Sequence, residues 1–87
     1  MIATPEHDYE HIYFEKIEEK KKTAVFTCLN KKHHTNLGVV RWGKWRQYCF
    51  YPHAEMMFSK GCLTDIADFI DKLMFERRLN RSIERRK

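Results

Sequence analysis

The stretch Leu37-Gly-Val-Val-Arg-Trp-Gly-Lys-Trp-Arg-Gln-Tyr-Cys-Phe-Tyr-Pro52 predicts a β-hairpin at the centre of the fold. Two runs rich in β-branched and aromatic residues flank Gly43-Lys44, which suits a two-residue connection. Glycine in the first central position is typical of a type II′ turn, whose twist matches the strands on either side. The same stretch holds two tryptophans and two arginines, which are frequent in binding surfaces.

A two-residue turn fixes the register and gives the hairpin two different sides, because side chains alternate along a strand. Trp42 would face Trp45 on one side, where the pair either stabilises the hairpin or contacts a partner. On the other side Arg41 would face Arg46. These like charges repel, so an anionic partner or a carboxylate such as Glu55 would relieve the repulsion. Four residues of this second side are expected to pack in the core: Leu37, Val39, Tyr48 and Phe50.

The flanking segments predict the α+β class, with a four-stranded antiparallel sheet packed against one long C-terminal helix. Residues 10–17 and 23–29 are rich in apolar residues and predict the first two strands. From Gly61 onward the apolar residues recur with the period of a helix, and Ser59 or Thr64 is the candidate N-cap. The stripe predicted to lie on the sheet comprises Leu63, Ile66, Ala67, Phe69, Ile70, Leu73 and Met74.

The 87 residues are expected to form a single domain, with residues 1–8 as a loose N-terminus and residues 79–87 as a basic helical extension or tail. A hydrophobic content of 43% argues against disorder, whereas the short length leaves little room for a buried enzyme cleft. No apolar run is long enough to span a membrane, and the start of the chain does not resemble a signal peptide. We therefore expect a cytoplasmic monomer or homodimer.

The net charge of +5 is unevenly distributed along the chain. Residues 76–87 hold six basic and two acidic side chains, whereas residues 1–75 hold eleven basic and ten acidic ones. The argument that a basic protein binds nucleic acid therefore applies mainly to the C-terminal segment.

The polar segment 30–36 contains two lysines and two histidines, and is either an ordinary solvated loop or a phosphate contact.

The residues that carry most enzyme chemistry show no characteristic spacing in this chain. The cysteines and histidines considered as metal ligands or nucleophiles are Cys28, Cys49, Cys62, His33, His34 and His53. They form no Cys-x-x-Cys element, and the cysteines lie in apolar segments typical of reduced core residues. The three glycines are scattered and form no phosphate-binding loop. We expect no metal, no cofactor and no enzyme activity.

Two motifs between residues 37 and 70 resemble a pattern found in small proteins of phages and bacterial mobile elements. The first is Trp42-x-x-Trp-Arg-x-Tyr-x-Phe-x-Pro52, and the second is Cys62-Leu-x-Asp-Ile-Ala-Asp-Phe-Ile70. The pattern covers under half of the chain, and such proteins are mostly uncharacterised. Short phage proteins without catalytic motifs in turn resemble inhibitors of host defence, including anti-CRISPR proteins.

The resemblance implies a phage-encoded, non-catalytic inhibitor in the host cytoplasm that binds a CRISPR effector nuclease or its guide RNA. The alternatives are a direct nucleic-acid-binding accessory protein and a homodimeric assembly protein. In the inhibitor hypothesis the tryptophans would contact protein, and the C-terminal arginines would contact RNA or an acidic channel. The candidate binding residues are Arg41, Trp42, Lys44, Trp45, Arg46, Arg77, Arg78, Arg81, Arg85 and Arg86.

Overall fold

A computed structural model describes residues 8–85, with side chains for residues 8–79. It has the predicted α+β architecture, a four-stranded antiparallel sheet in the order β1-β2-β3-β4 with one C-terminal helix. The elements are β1 (Ile12–Glu19), β2 (Ala24–Asn30), β3 (Asn36–Trp42), β4 (Tyr48–Pro52) and α1 (Lys60–Arg85). Most of the predicted loose N-terminus, residues 1–7, lies outside the described residues, whereas Asp8 forms a bridge with Tyr13.

The core lies between one side of the sheet and α1. The ring of Phe69 stacks on Phe14 of β1 with centroids 4.0 Å apart, and meets Phe26 of β2 edge to face at 5.0 Å. Ile66 and Leu73 are buried on the same helix face, which confirms the predicted stripe at its centre. Two of its members were predicted wrongly, because Leu63 in the first turn of α1 is 52% exposed and Ala67 is also exposed. The periodic pattern therefore identifies the packed face of the helix but not how far the core extends along it.

Ser59 is the N-cap of α1. Its hydroxyl oxygen accepts a hydrogen bond from the backbone N–H of Cys62 at 3.2 Å, which satisfies one of the amides left free at a helix start. The competing candidate, Thr64, lies inside the helix, where its hydroxyl donates to the carbonyl of Lys60 at 2.9 Å. The helix continues to Arg85.

The predicted two-residue turn between β3 and β4 is wrong. Residues 43–47 form the connection, and Trp42 pairs with Tyr48 instead of Trp45. The loop is closed by a hydrogen bond from the N–H of Gly43 to the carbonyl of Gln47 at 2.8 Å. Arg46 adopts the left-handed conformation, with φ 56°, which lets a longer loop reverse the chain.

The longer loop shifts the register by three positions, and an odd shift moves every β4 side chain to the opposite face relative to β3. Arg41 therefore pairs with Cys49, and the expected repulsion with Arg46 across the ladder does not occur. Trp42 lies on the α1 side next to Tyr48, where it is half-buried and packed against the core. The prediction that Trp42 and Trp45 share one contact side is also wrong.

The opposite side of the sheet, which we call the open face, is not covered by α1. Val39 was predicted to be in the core but lies on the open face, because it alternates with the buried Val40. Leu37, Tyr48 and Phe50 do contact the core as predicted. Leu37 reaches it through an irregularity in the β2–β3 pairing at Cys28/Leu29, which breaks the regular alternation.

Candidate functional site

The tips of the two hairpins and the C-terminal half of α1 meet at one end of the sheet. In an antiparallel sheet with the order β1-β2-β3-β4, the β1–β2 and β3–β4 loops lie at the same end. α1 begins at the other end, after β4, and is level with these loops at Arg77. One guanidinium nitrogen of Arg77, Nη1, donates a hydrogen bond to the carbonyl of Lys22 at 2.9 Å. The helix then continues through residues 78–85, about 12 Å further.

This topology gathers basic side chains from three separate parts of the sequence. We call the set the cationic end; its members are Lys20, Lys21, Lys22, Lys44, Arg46, Arg77 and Arg78. The carboxylates Glu18, Glu19 and Glu76 lie near it, so that seven positive charges oppose three negative ones. Glu19 is also paired with Lys16 of β1 at 3.4 Å, which offsets part of its charge. The cationic end therefore carries a strong surplus of positive charge.

The other end of the sheet is electrically balanced. Its loops and the adjoining terminal residues hold three lysines and three carboxylates, namely Lys31, Lys32, Lys60, Asp8, Glu10 and Glu55. The amine of Lys31 is paired with the carboxylate of Asp8 at 2.8 Å. The positive potential of the described residues is therefore directed at the cationic end.

A carboxylate on the helix surface near the balanced end is already engaged by two partners. The carboxylate of Asp68 accepts a hydrogen bond from the Tyr9 hydroxyl at 2.8 Å and is paired with Lys72 at 3.0 Å. These hydrogen bonds, that of Tyr9 first, hold the pKa of Asp68 below its usual value. Asp68 therefore stays ionised at neutral pH, and its charge is balanced by that of Lys72.

Arg77 and Trp42 are predicted binding residues that contact each other. The Arg77 guanidinium lies over the Trp42 ring, 4.2 Å from its centroid, and Trp42 meets the Tyr48 ring edge to face at 5.5 Å. The Tyr48 hydroxyl accepts a hydrogen bond from the backbone N–H of Ala24 at 3.1 Å. Burial raises the pKa of Tyr48, whereas the Ala24 amide and Arg77 act in the opposite direction. Trp42 and Arg77 therefore join α1 to the hairpins beneath the cationic end.

The β3–β4 loop presents the most accessible of the predicted binding residues. Lys44, Trp45 and Arg46 are all exposed, and 77% of the Trp45 surface is accessible to solvent. Arg78 is exposed on α1 and pairs with none of the described residues. Arg41 is separate from this group, because it lies on the open face with its guanidinium 4.0 Å from the centroid of the Tyr51 ring.

The structure thus brings together six of the ten predicted residues, at or directly beneath the cationic end. They are Trp42, Lys44, Trp45, Arg46, Arg77 and Arg78. The side chains of Arg81 and Arg85 and the whole of Arg86 lie outside the described residues. The sequence prediction did not include Lys20–Lys22, which lie between the first two predicted strands. The available signal was topological, since two successive hairpins place their tips at the same end of a sheet.

The titratable groups of the described residues show no site for metal chemistry. Within residues 8–79, no group of three or more His, Cys, Asp or Glu side chains is arranged to hold a metal ion. Burial, with a smaller effect of Cys62, raises the pKa of Cys28 to about 12, so this thiol stays protonated at neutral pH. In the part of the chain that the structure describes, no helix is long and apolar enough to cross a membrane.

Comparison with known proteins finds a relative in a phage. The chain is 34% identical over 71 residues to an uncharacterised 9.3 kDa protein of Acholeplasma phage L2. The aligned region covers 79% of this chain and 91% of the relative. No protein-family model and no solved structure matches the chain. The similarity therefore extends over most of both proteins and is not confined to one motif.

Proposed function

We propose that this chain, a small phage protein of the same family as the Acholeplasma phage L2 protein, is an accessory protein. In this proposal it binds nucleic acid in the host cytoplasm. The observation that carries the proposal is the convergence of Lys20–Lys22, the β3–β4 loop and α1 on one cationic end. Phosphate contacts made by lysine and arginine supply most of the affinity of sequence-independent binding. We propose no catalytic step.

The arrangement of these cations favours an extended polyanion over a single acidic group. They come from two loops and a helix, so they form a patch instead of a closed pocket. Lys20, Lys21, Lys44 and Arg46 form no ion pair with any described residue, so their charges are free to contact phosphates. A nucleic acid offers negative charges at regular intervals along its backbone, and can contact all three segments together.

Binding to a labelled oligonucleotide is expected to weaken steeply as salt rises, because each phosphate contact releases counterions. For about four contacts to a single strand, the logarithm of the association constant should fall against that of the salt concentration with a slope of about −3. The Lys20→Glu/Lys21→Glu variant should bind about tenfold more weakly at moderate salt, with a slope shallower by about 1–2. Fluorescence anisotropy titrations at several salt concentrations measure both quantities.

The matched control reverses two lysines at the balanced end. Lys32→Glu/Lys60→Glu makes the same change in net charge, and both side chains are exposed and unpaired among the described residues. It should bind within about threefold of the unmodified protein, since its charges lie more than a Debye length, about 8–10 Å, from the cationic end. Equal weakening by both variants would mean that only net charge matters. Affinity weaker than about 10⁻⁴ M at physiological salt would contradict the proposal.

Inhibition of a host RNA-guided nuclease is a second proposal, supported by the phage family and by the same surface. Guide RNA is a polyanion, and the channel that holds it contacts its backbone, so the cationic end would compete for RNA or contact an exposed part of it. The exposed Trp45 would add an aromatic contact of the kind found at the centre of protein interfaces.

A cleavage assay with a purified RNA-guided nuclease of the host tests this second proposal. The protein should block target cleavage at about one copy per effector, because a specific inhibitor saturates a defined site. Cleavage that continues at a large excess of the protein would contradict the proposal for that effector, and would leave direct nucleic-acid binding unaffected.

A further inference from the structure

Trp45 is the least engaged large aromatic residue at the cationic end. Its side chain is 77% exposed, between two exposed cations, Lys44 and Arg46. Within the described part of the chain, its ring has no hydrogen bond and no contact with another ring. Contact between the apolar surface of an exposed indole ring and a flat ligand is favourable, because it removes that surface from water.

The loop that carries Trp45 is held at its base. The N–H of Gly43 bonds to the carbonyl of Gln47, and Arg46 occupies the left-handed region with φ 56°. Gly43 also packs tightly, since a Cβ atom at this position would lie 2.5 Å from the Sγ atom of Cys49. These constraints fix the loop base before a ligand arrives, and so reduce the entropy that binding would cost.

The other aromatic side chains near this end are already engaged. Arg77 covers one face of the Trp42 ring, which also meets the Tyr48 ring edge to face. On the open face, the guanidinium of Arg41 occupies one side of the Tyr51 ring. Among the described residues at the cationic end, Trp45 therefore offers the accessible aromatic surface for stacking.

We infer that the ligand of the cationic end is single-stranded nucleic acid, with one unpaired base stacked on Trp45 and neighbouring phosphates contacted by Lys44 and Arg46. The inference rests on the proposed function and specifies its ligand. A single strand exposes the faces of its bases, whereas a duplex covers each face with the next base pair. A tryptophan at the tip of a loop would have to unstack a duplex step to reach the same contact, which is energetically unfavourable.

The test compares an oligothymidylate of about 15 nucleotides with a duplex of the same length, a size within the range that small domains occupy. We expect the protein to bind the single strand about tenfold more tightly. Trp45→Leu should weaken single-strand binding about tenfold and change duplex binding less than twofold, because stacking contributes about 1–3 kcal/mol per base. Trp45→Phe should keep most of the affinity, and the single strand should quench the tryptophan fluorescence of the unmodified protein.

Lys44→Gln serves as the control for a charge effect. It should weaken binding to both oligonucleotides in the same proportion, since phosphates are present in each. Circular dichroism should show that all three variants retain the fold, because the substituted side chains are exposed.

If Trp45→Leu weakened the binding of both oligonucleotides equally, or of neither, the stacking inference would be wrong while the nucleic-acid-binding proposal stood. If the unmodified protein bound neither oligonucleotide, both the nucleic-acid-binding proposal and the stacking inference would fail. Loss of nuclease inhibition in Trp45→Leu with unchanged single-strand affinity would instead assign Trp45 to a protein contact.

Discussion

Phe69→Ala is expected to lower the free energy of unfolding by about 3–5 kcal/mol. Phe69 is fully buried, and its ring joins α1 to two strands through Phe14 and Phe26. The substitution removes these ring contacts and leaves a cavity, which the hydrogen-bonded strands beneath it cannot move to fill. Small domains have total stabilities of about 5–15 kcal/mol, so this loss is a large part of the whole. Urea denaturation followed by circular dichroism measures it.

Phe75→Ala is the matched control for this prediction. It removes the same ring from the same helix, but Phe75 is 57% exposed, so its free energy of unfolding should change by no more than about 0.5 kcal/mol. Equal effects of the two substitutions would show that α1 does not pack on the sheet through Phe69. A loss of less than about 1 kcal/mol for Phe69→Ala would lead to the same conclusion.

The packing of α1 is the part of the fold that the sequence predicted best. Ile66, Phe69 and Leu73 recur at helical spacing, and burying one apolar stripe is the main source of stability for an amphipathic helix. Ser59 was one of the two predicted N-cap candidates, because a hydroxyl before an apolar stripe is typical of an N-cap. The exposure of Leu63 and Ala67 could not be predicted, because periodicity is a local property whereas the area that the sheet covers depends on the whole fold.

The register of the β3–β4 hairpin could not be predicted in the same way. Gly43 indicated a tight turn, but the chain reverses over residues 43–47 with Arg46 at positive φ. Arginine is not typical of that conformation, so the sequence contained no local signal for the longer loop. Because side chains alternate, this one difference moved Trp42 from the predicted contact side to the core side.

The candidate site was predicted only in the parts that are local in sequence. Lys44–Arg46 was identified from its composition, and Arg77 and Arg78 from the basic C-terminal segment. Lys20–Lys22 joins them only after the sheet has formed, through the order of the strands and the contact of Arg77 with the β1–β2 loop. A charge cluster that forms only when distant segments meet in the folded sheet cannot be predicted from the distribution of charge along the chain.

Arg77→Ala is expected to lower the free energy of unfolding by about 2 kcal/mol. It removes a hydrogen bond from a charged donor to the carbonyl of Lys22, which is typically worth about 1.5–3 kcal/mol. It also removes the guanidinium from the Trp42 ring, worth about 0.5–1 kcal/mol where solvent is close. Partial exposure of Arg77 places the sum near the lower part of these ranges. Urea denaturation gives the loss directly.

Two further variants separate this joining role of Arg77 from its charge. Arg78→Ala removes the same charge at the next position of the helix, where the arginine side chain is exposed and unpaired among the described residues. The free energy of unfolding of this variant should therefore stay within about 0.5 kcal/mol of that of the unmodified protein. Arg77→Lys keeps the charge but loses the planar group that stacks on Trp42, and should recover only part of the loss. Arg77 also acts to lower the pKa of Tyr48, so that pKa should rise further in Arg77→Ala than in Arg77→Lys when the phenol is titrated by ultraviolet absorbance. Equal stabilities and equal Tyr48 pKa values for the Arg77→Ala and Arg78→Ala variants would show that Arg77 does not hold the helix against the hairpins.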